Sequence, residues 1–310
     1  MNRVEYLILS STLDFSTDFV CAEMKKRGLS YLRLNRDRFA EYRVEYKKES
    51  LMVELAETEY VATRSDVKSV FFRSPVFIRS YKTYSLEDQL YRSQWSAFIR
   101  NMTVFSDARW LNHPMFTYQA ENKMYQLVIA KQIGLKIPET IVTNDSSGLF
   151  DDKFYVVKAL DTPLFYEDGK EMFTYSTVAT GVEIKASSLW QAPVIIQQCL
   201  ENKIDLRITI VGNKVFPASI TQNGKTISGD WRRLPKGELQ YNKWELPRII
   251  EEKLLYLMKR LNLSFGGVDL AVIGDSYYFI EVNPTGEWGW IETNLGYNIH
   301  GAIVDWMVNG

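Results

Sequence analysis

Cysteine and histidine are scarce in this chain: Cys21, Cys199, His113 and His300 are the whole supply in 310 residues. Two cysteines cannot build a disulfide framework, and Cys199 in its apolar run reads as a small buried residue. The histidines fall in no CxxC or HExxH pattern, so neither a zinc site nor a Cys-His nucleophile pair is supported. Charge of one sign is also lacking. Thirty-seven Lys and Arg oppose 38 Asp and Glu, a formal −1 that provides no global field for nucleic acid or anionic lipid. No apolar run approaches the roughly 18 residues of a membrane span. The start, Met1 to Ser10, is too short and too charged for a signal peptide. These absences predict a soluble, cytoplasmic protein with neither nucleic acid nor membrane as partner.

What is present is an ordinary folding composition, 46% apolar and 24% charged, enough for two or three domains. Eight tryptophans suggest a groove for an extended ligand, although any single one more often fills a core. Val4 to Leu9 reads as a buried strand, Phe19 to Arg27 as a helix ended by Gly28, and Tyr31 to Leu34 as a second strand. A hairpin over 44–55, a strand before Pro75 and a helical stretch from Leu86 to Arg100 complete an N-terminal α/β domain, 1–112. No GxGxxG follows a strand, so dinucleotide binding has no support. The second unit, 113–195, opens near Asn112-His113-Pro114 with a helix from Ala120 to Ile133, whose stripe is Met124, Leu127, Val128 and Ile133. Strands over 139–143, 154–159 and 194–197 follow, and the polar stretch Asp161 to Tyr175 is a candidate lid. The third unit, 196–310, is strand-rich. It holds a hairpin turning at Gly212-Asn213, a helix from Pro247 to Leu261, and a final hairpin joined at Gly274-Asp275-Ser276.

That final hairpin is the most informative feature. With its turn centred on Asp275, Asp269 and Glu281 stand opposite each other, and Asn283 projects from the same face. Opposed carboxylates are destabilising without a cation, and oxygen-only ligands suit Mg²⁺, which is usually shared with phosphates. Ser219 to Thr226 is not a Walker A loop, because serine stands where the first glycine is required. Lys123, early in its helix, and Lys158, inside an apolar strand, are better phosphate partners. A buried lysine demands an anion.

Asn122-Lys123, Val157-Lys158, Gln197-Gln198-Cys199-Leu200, Asp205-Leu206-Arg207, Gly267-Val268-Asp269 and Glu281-Val282-Asn283-Pro284 occur in the order and approximate spacing of the ATP-grasp ligases. Within them the chain resembles the branch of the ribosomal-protein glutamate ligase. More narrowly, Asp230-Trp231-Arg232 and Asn283 to Glu292 resemble the graspetide maturases, which macrocyclise microviridin-type ribosomal peptides. The resemblance covers about residues 112 to 310, and the N-terminal part in outline. It implies an α/β (α+β) ATP-grasp fold: a Rossmann-like N-terminal domain, a central domain and a C-terminal antiparallel-sheet domain.

The same resemblance implies the roles. Lys123 and Lys158 would hold ATP phosphates; Gln198, Cys199 and Leu200 would be the hinge meeting adenine; Asp205 would hold the ribose. Asp269, Glu281 and Asn283 would carry Mg²⁺, while Arg207 and Arg232 would neutralise an acylphosphate. Gln198 and Cys199 replace the family's usual Glu and aromatic residue, which leaves backbone contacts as the expected grip on adenine. The partner would be a precursor peptide with a leader and a Thr/Asp/Glu-rich core, its leader met by Lys203, Lys214 and Lys225 unless these only solvate a hairpin edge, and the enzyme a homodimer. The rivals are a ligase adding free glutamate to a protein tail, and a catalytically silent ATP- or peptide-binding module. The intact Asp269, Glu281, Asn283 and Arg207 set argues against the silent one.

Overall fold

The computed structural model describes residues 1–73, 85–161, 164–167, 170–173, 175–187 and 189–310, with the side chains of 164–167, 170–173 and 190 excepted. The expected lid, Asp161 to Tyr175, lies largely outside the described residues. Of its interior, Leu164–Glu167 and Lys170–Phe173 pair as an antiparallel ladder.

The N-terminal part carries a parallel four-stranded sheet, in spatial order Tyr31–Asn35, Tyr6–Ser10, Ser69–Phe72 and Arg109–Leu111. Strand Tyr6–Ser10 is buried along its whole length, as a parallel strand covered on both faces must be. The first helix runs Phe15–Lys26 rather than from Phe19. Asp14 caps it through its side chain, and the exposed Phe15 and Phe19 hide that start from an apolar-periodicity argument. Gly28, at φ +67°, ends it. A second sheet of Asn2–Arg3, Thr58–Thr63, Ser50–Leu55 and Arg43–Lys47 adjoins.

Two antiparallel sheets follow. The smaller is ordered Thr177–Thr180, Phe154–Lys158, Val194–Gln198, Thr140–Thr143; the larger is Leu239–Lys243, Lys214–Gln222, Ile204–Val211, Phe265–Ile273, Ser276–Asn283. The helix expected from Ala120 is two helices, Pro114–Ala120 and Lys123–Gln132, broken at Glu121-Asn122. Its buried face also differs from expectation. Gln126, Ile129 and Ala130 point inward while Met124 and Val128 are exposed. The cause is Gln126, whose amide pairs with both backbone groups of Val282: Oε1 accepts from its N at 2.9 Å and Nε2 donates to its O at 2.8 Å. This docks the helix on the last strand, so it shares a core with Leu206, Ile208 and Phe279 of the large sheet and with Leu254 and Leu257 of the helix from Arg248 to Arg260. Helix Arg248–Arg260 buries Leu254, Leu257 and Met258 on the same core and leaves Ile249 facing solvent.

The C-terminal helix Ile299–Asn309 returns to the N-terminal sheet, where Ser69 and Arg109 donate to the Met307 carbonyl at 3.0 and 2.9 Å. Asn112 locks the same junction: Oδ1 accepts from the Ser264 and Phe265 amides, and Nδ2 donates to the Phe265 and Pro284 carbonyls. Among the described residues no helix is long and apolar enough to cross a membrane.

Candidate active site

The final hairpin does set Asp269 opposite Glu281, by a different route from simple counting. Its turn is two residues, Gly274-Asp275, so Ile273 pairs with Ser276. Continued without interruption, that register would put Asp269 against Ile280. A β-bulge between Asp269 and Leu270 on one side and Ile280 on the other shifts it by one residue, bringing Glu281 and Asn283 onto the Asp269 face. Asn283 Nδ2 lies 3.3 Å from both Asp269 Oδ2 and Glu281 Oε1.

Cations from four elements converge on the pair. Lys123, the first residue of its helix, donates to Glu281 Oε2 at 2.6 Å. Arg207, paired across the sheet with Asp269, donates to Asp269 Oδ1 at 3.0 Å. Arg232 bridges both acids, its Nη2 at 2.9 Å from Asp269 Oδ2 and 3.1 Å from Glu281 Oε1. Lys158, on the small sheet, finds a neutral partner instead: it donates to Gln197 Oε1 at 2.8 Å, while Gln197 Nε2 donates to Thr140 Oγ1.

Burial is the largest single influence on Lys158, Asp269, Glu281 and Arg232, and neighbouring charges outweigh it at two of them. It lowers the Lys158 pKa, because removing an ammonium from water disfavours its charge. Burial alone would raise the Glu281 pKa, but Lys123, Arg232 and Lys158 outweigh it and hold this carboxyl well below the usual carboxylate range. At Asp269, burial together with the Glu281 charge prevails over Arg207 and Arg232 and pushes the carboxyl up. Arg232 is moved the other way from what burial would do, the three carboxylates of Asp269, Glu281 and Asp230 raising its pKa. Lys123, Lys158, Arg207 and Arg232 thus bring four cationic side chains to one carboxylate pair, groups able to grip a polyanion. The oxygen donors fit Mg²⁺, and a guanidinium lying between the two acids marks where a cation is wanted.

These groups line a cleft of about 430 Å³, walled on one side by Trp231 and Trp290, whose rings lie 5.7 Å apart. It opens into a pocket bordered by Val156, Gln198, Cys199, Leu200, Lys203 and Asp205. The expected residues therefore meet in one continuous depression. Lys203 does not fit the solvated edge considered for it: its side chain is 13% exposed, and its ammonium donates to Asp205 Oδ1 at 2.6 Å. Gln126 and Gln197 were not foreseen as site residues: each serves through contacts distant in sequence, which no local pattern signals, whereas Lys203, a candidate leader contact, pairs with Asp205 two residues away.

A cleft between two antiparallel sheets, with two lysines beside a carboxylate pair, is the arrangement of an ATP-grasp ligase. The RimK-like ATP-grasp domain model matches residues 121–307, over half of the chain, and the chain belongs to that family. A RiPP-associated ATP-grasp ligase from Chryseobacterium gregarium, solved with ADP and a leader and core peptide, is 26% identical, with a TM-score of 0.82 over 100% of this chain and 97% of its own. Macrocyclase MdnC from Microcystis aeruginosa MRC, bound with precursor peptide MdnA, is 25% identical at TM-score 0.84, covering 98% of this chain and 99% of its own. Macrocyclase MdnB from the same organism shares the fold, at 24% identity and TM-score 0.74, with 100% of both chains covered. No curated protein sequence matches the chain.

Proposed function

We propose that this ATP-grasp ligase is a graspetide macrocyclase, closing side-chain ester or amide rings in a ribosomal precursor peptide with a leader and a Thr/Asp/Glu-rich core. The observation that carries the reading is the cleft itself, where Asp269, Glu281 and Asn283 stand among Lys123, Lys158, Arg207 and Arg232 beside the Trp231-Trp290 wall. The peptides bound to the Chryseobacterium ligase and to MdnC support it.

A carboxylate is a poor electrophile because oxide would have to leave. An Asp or Glu of the peptide therefore attacks the γ-phosphorus of ATP, ADP departs, and an acylphosphate forms. A Thr or Ser hydroxyl, or a Lys amine, of the same peptide then displaces phosphate. Backbone groups of Gln198, Cys199 and Leu200 meet adenine and Asp205 the ribose, while Lys123 and Lys158 grip the phosphates. Arg207 and Arg232 face the charge developing on the transferring group, which in phosphoryl transfer is most of the catalytic task. Asp269, Glu281 and Asn283 would hold Mg²⁺, which when bound neutralises phosphate oxygens. The reading includes a cytoplasmic homodimer.

The test is mass. With MgATP and a precursor peptide carrying a leader and a Thr/Asp/Glu-rich core, each ring removes one water, and a version lacking the leader reacts poorly. A mass gain, or dependence on added glutamate, overturns the reading in favour of a tail-adding ligase.

A further inference from the structure

Past Asn283 the chain makes a tight turn, the Gly286 amide donating to the Asn283 carbonyl at 3.1 Å, and delivers Glu287 to the wall of the same cleft. This carboxylate is 56% exposed, yet both its oxygens are fixed from the N-terminal domain. Arg73 Nη2 donates to Oε1 at 3.0 Å, and Ser16 Oγ donates to Oε2 at 2.6 Å. Arg73 is itself immobilised: its side chain is 1% exposed, its Nε meets Asp14 Oδ2 at 3.0 Å, and its Nη1 meets the Gly286 carbonyl at 3.1 Å. A buried guanidinium aimed at an exposed acid keeps that acid in place without covering it.

Exposure sets Glu287 apart from the carboxylates beside it: Glu281, bound to Lys123 and Arg232, is 12% exposed, and Asp230, which accepts from the Arg232 and Ser176 amides, is 5% exposed. Resting on the macrocyclase reading, we propose that Glu287 is the catalytic residue of the second half-reaction, receiving the nucleophile of the peptide and accepting its proton. The hydroxyl O–H bond breaks toward Glu287, and the oxygen lone pair forms the new C–O bond to the acyl carbon. The bond from the acyl carbon to the oxygen bridging to phosphorus breaks, its electron pair leaving with that oxygen on the departing phosphate. Glu287 then returns the proton to solvent or phosphate.

Glu287→Gln retains acceptors and donors for Arg73 and Ser16 but cannot take a proton. The experiment incubates wild type and Glu287→Gln with MgATP and a precursor peptide carrying a leader and a Thr/Asp/Glu-rich core, with and without hydroxylamine, which traps an acylphosphate as hydroxamate. Expected is wild-type hydroxamate formation by Glu287→Gln with ring closure slowed by about 10²-fold or more, the usual weight of general-base catalysis. Ring closure within a few-fold of wild type overturns the assignment. So does parallel loss of hydroxamate and rings, since a purely structural glutamate would weaken both half-reactions together. A wild-type enzyme giving neither product overturns the macrocyclase reading and this inference with it.

Discussion

Asp205 is a carboxylate kept under strain by its surroundings, and relieving it stabilises the nucleotide-free protein. Its side chain is 15% exposed, with Lys203 as its ion-pair partner. Burial, only partly offset by Lys203 and reinforced by the charges of Asp269 and Asp230, pushes its pKa from 3.8 to about 6. The folded state thus binds the proton more tightly than the unfolded chain. Its contribution is fully present below about pH 4 and is lost as the pH rises through 6. The loss is about two pKa units, or about 3 kcal/mol. Asparagine mimics the protonated acid, so Asp205→Asn matches wild type near pH 4 and exceeds it by up to about 3 kcal/mol above pH 7. Denaturant midpoints for both proteins at pH 4.5, 6 and 7.5, without nucleotide, measure this directly. With ADP added the order reverses in a second respect: the ligand raises the wild-type midpoint more, because the ribose loses its anionic acceptor. A stability difference that does not change with pH refutes the electrostatic origin. An unchanged response to ADP refutes the ribose assignment.

Glu281→Gln, which removes an anionic oxygen donor without opening a core cavity, abolishes ATP turnover while the circular dichroism spectrum stays native; normal turnover at millimolar Mg²⁺ defeats the metal assignment. Arg232→Ala leaves Asp269 and Glu281 facing each other without the bridging guanidinium, so Mg²⁺ alone raises its melting temperature while barely moving wild type, and ring formation is lost in the mass spectrum. An equal Mg²⁺ response in both proteins counts against the bridge. Gln126→Leu strands the Val282 N–H and C=O inside the core at a cost of about 1–3 kcal/mol each, and it raises the KM for ATP by loosening Lys123 from Glu281. Calorimetry and steady-state kinetics read the two effects separately. Lys158→Ala sharply raises the ATP concentration needed for turnover, whereas a change confined to thermal stability leaves Lys158 a structural residue.

The repeats of local sequence determined much of this protein. Alternating and continuous apolar runs specify the strands, and the oxygen-bearing triad of the last hairpin is visible because neighbours two residues apart share a face. The ordered set of short motifs carries the family, since most of them lie on regular elements whose places in the fold are fixed. Tertiary structure alone decided the rest. The bulge at Ile280 sets which residue faces Asp269, and it depends on pairing along the whole sheet rather than on the turn. The inward face of helix Lys123–Gln132 is chosen by a glutamine bonded to Val282, 156 positions away, so an apolar count picks the wrong side. Arg232 reaches the acids from a short 3₁₀ turn, Trp231–Arg233, with no periodicity to announce it. Arg73 and Ser16 act on Glu287 more than 200 residues away. Charges of opposite sign in one chain can pair in many ways, and only the packed core removes enough water to make one pairing prevail.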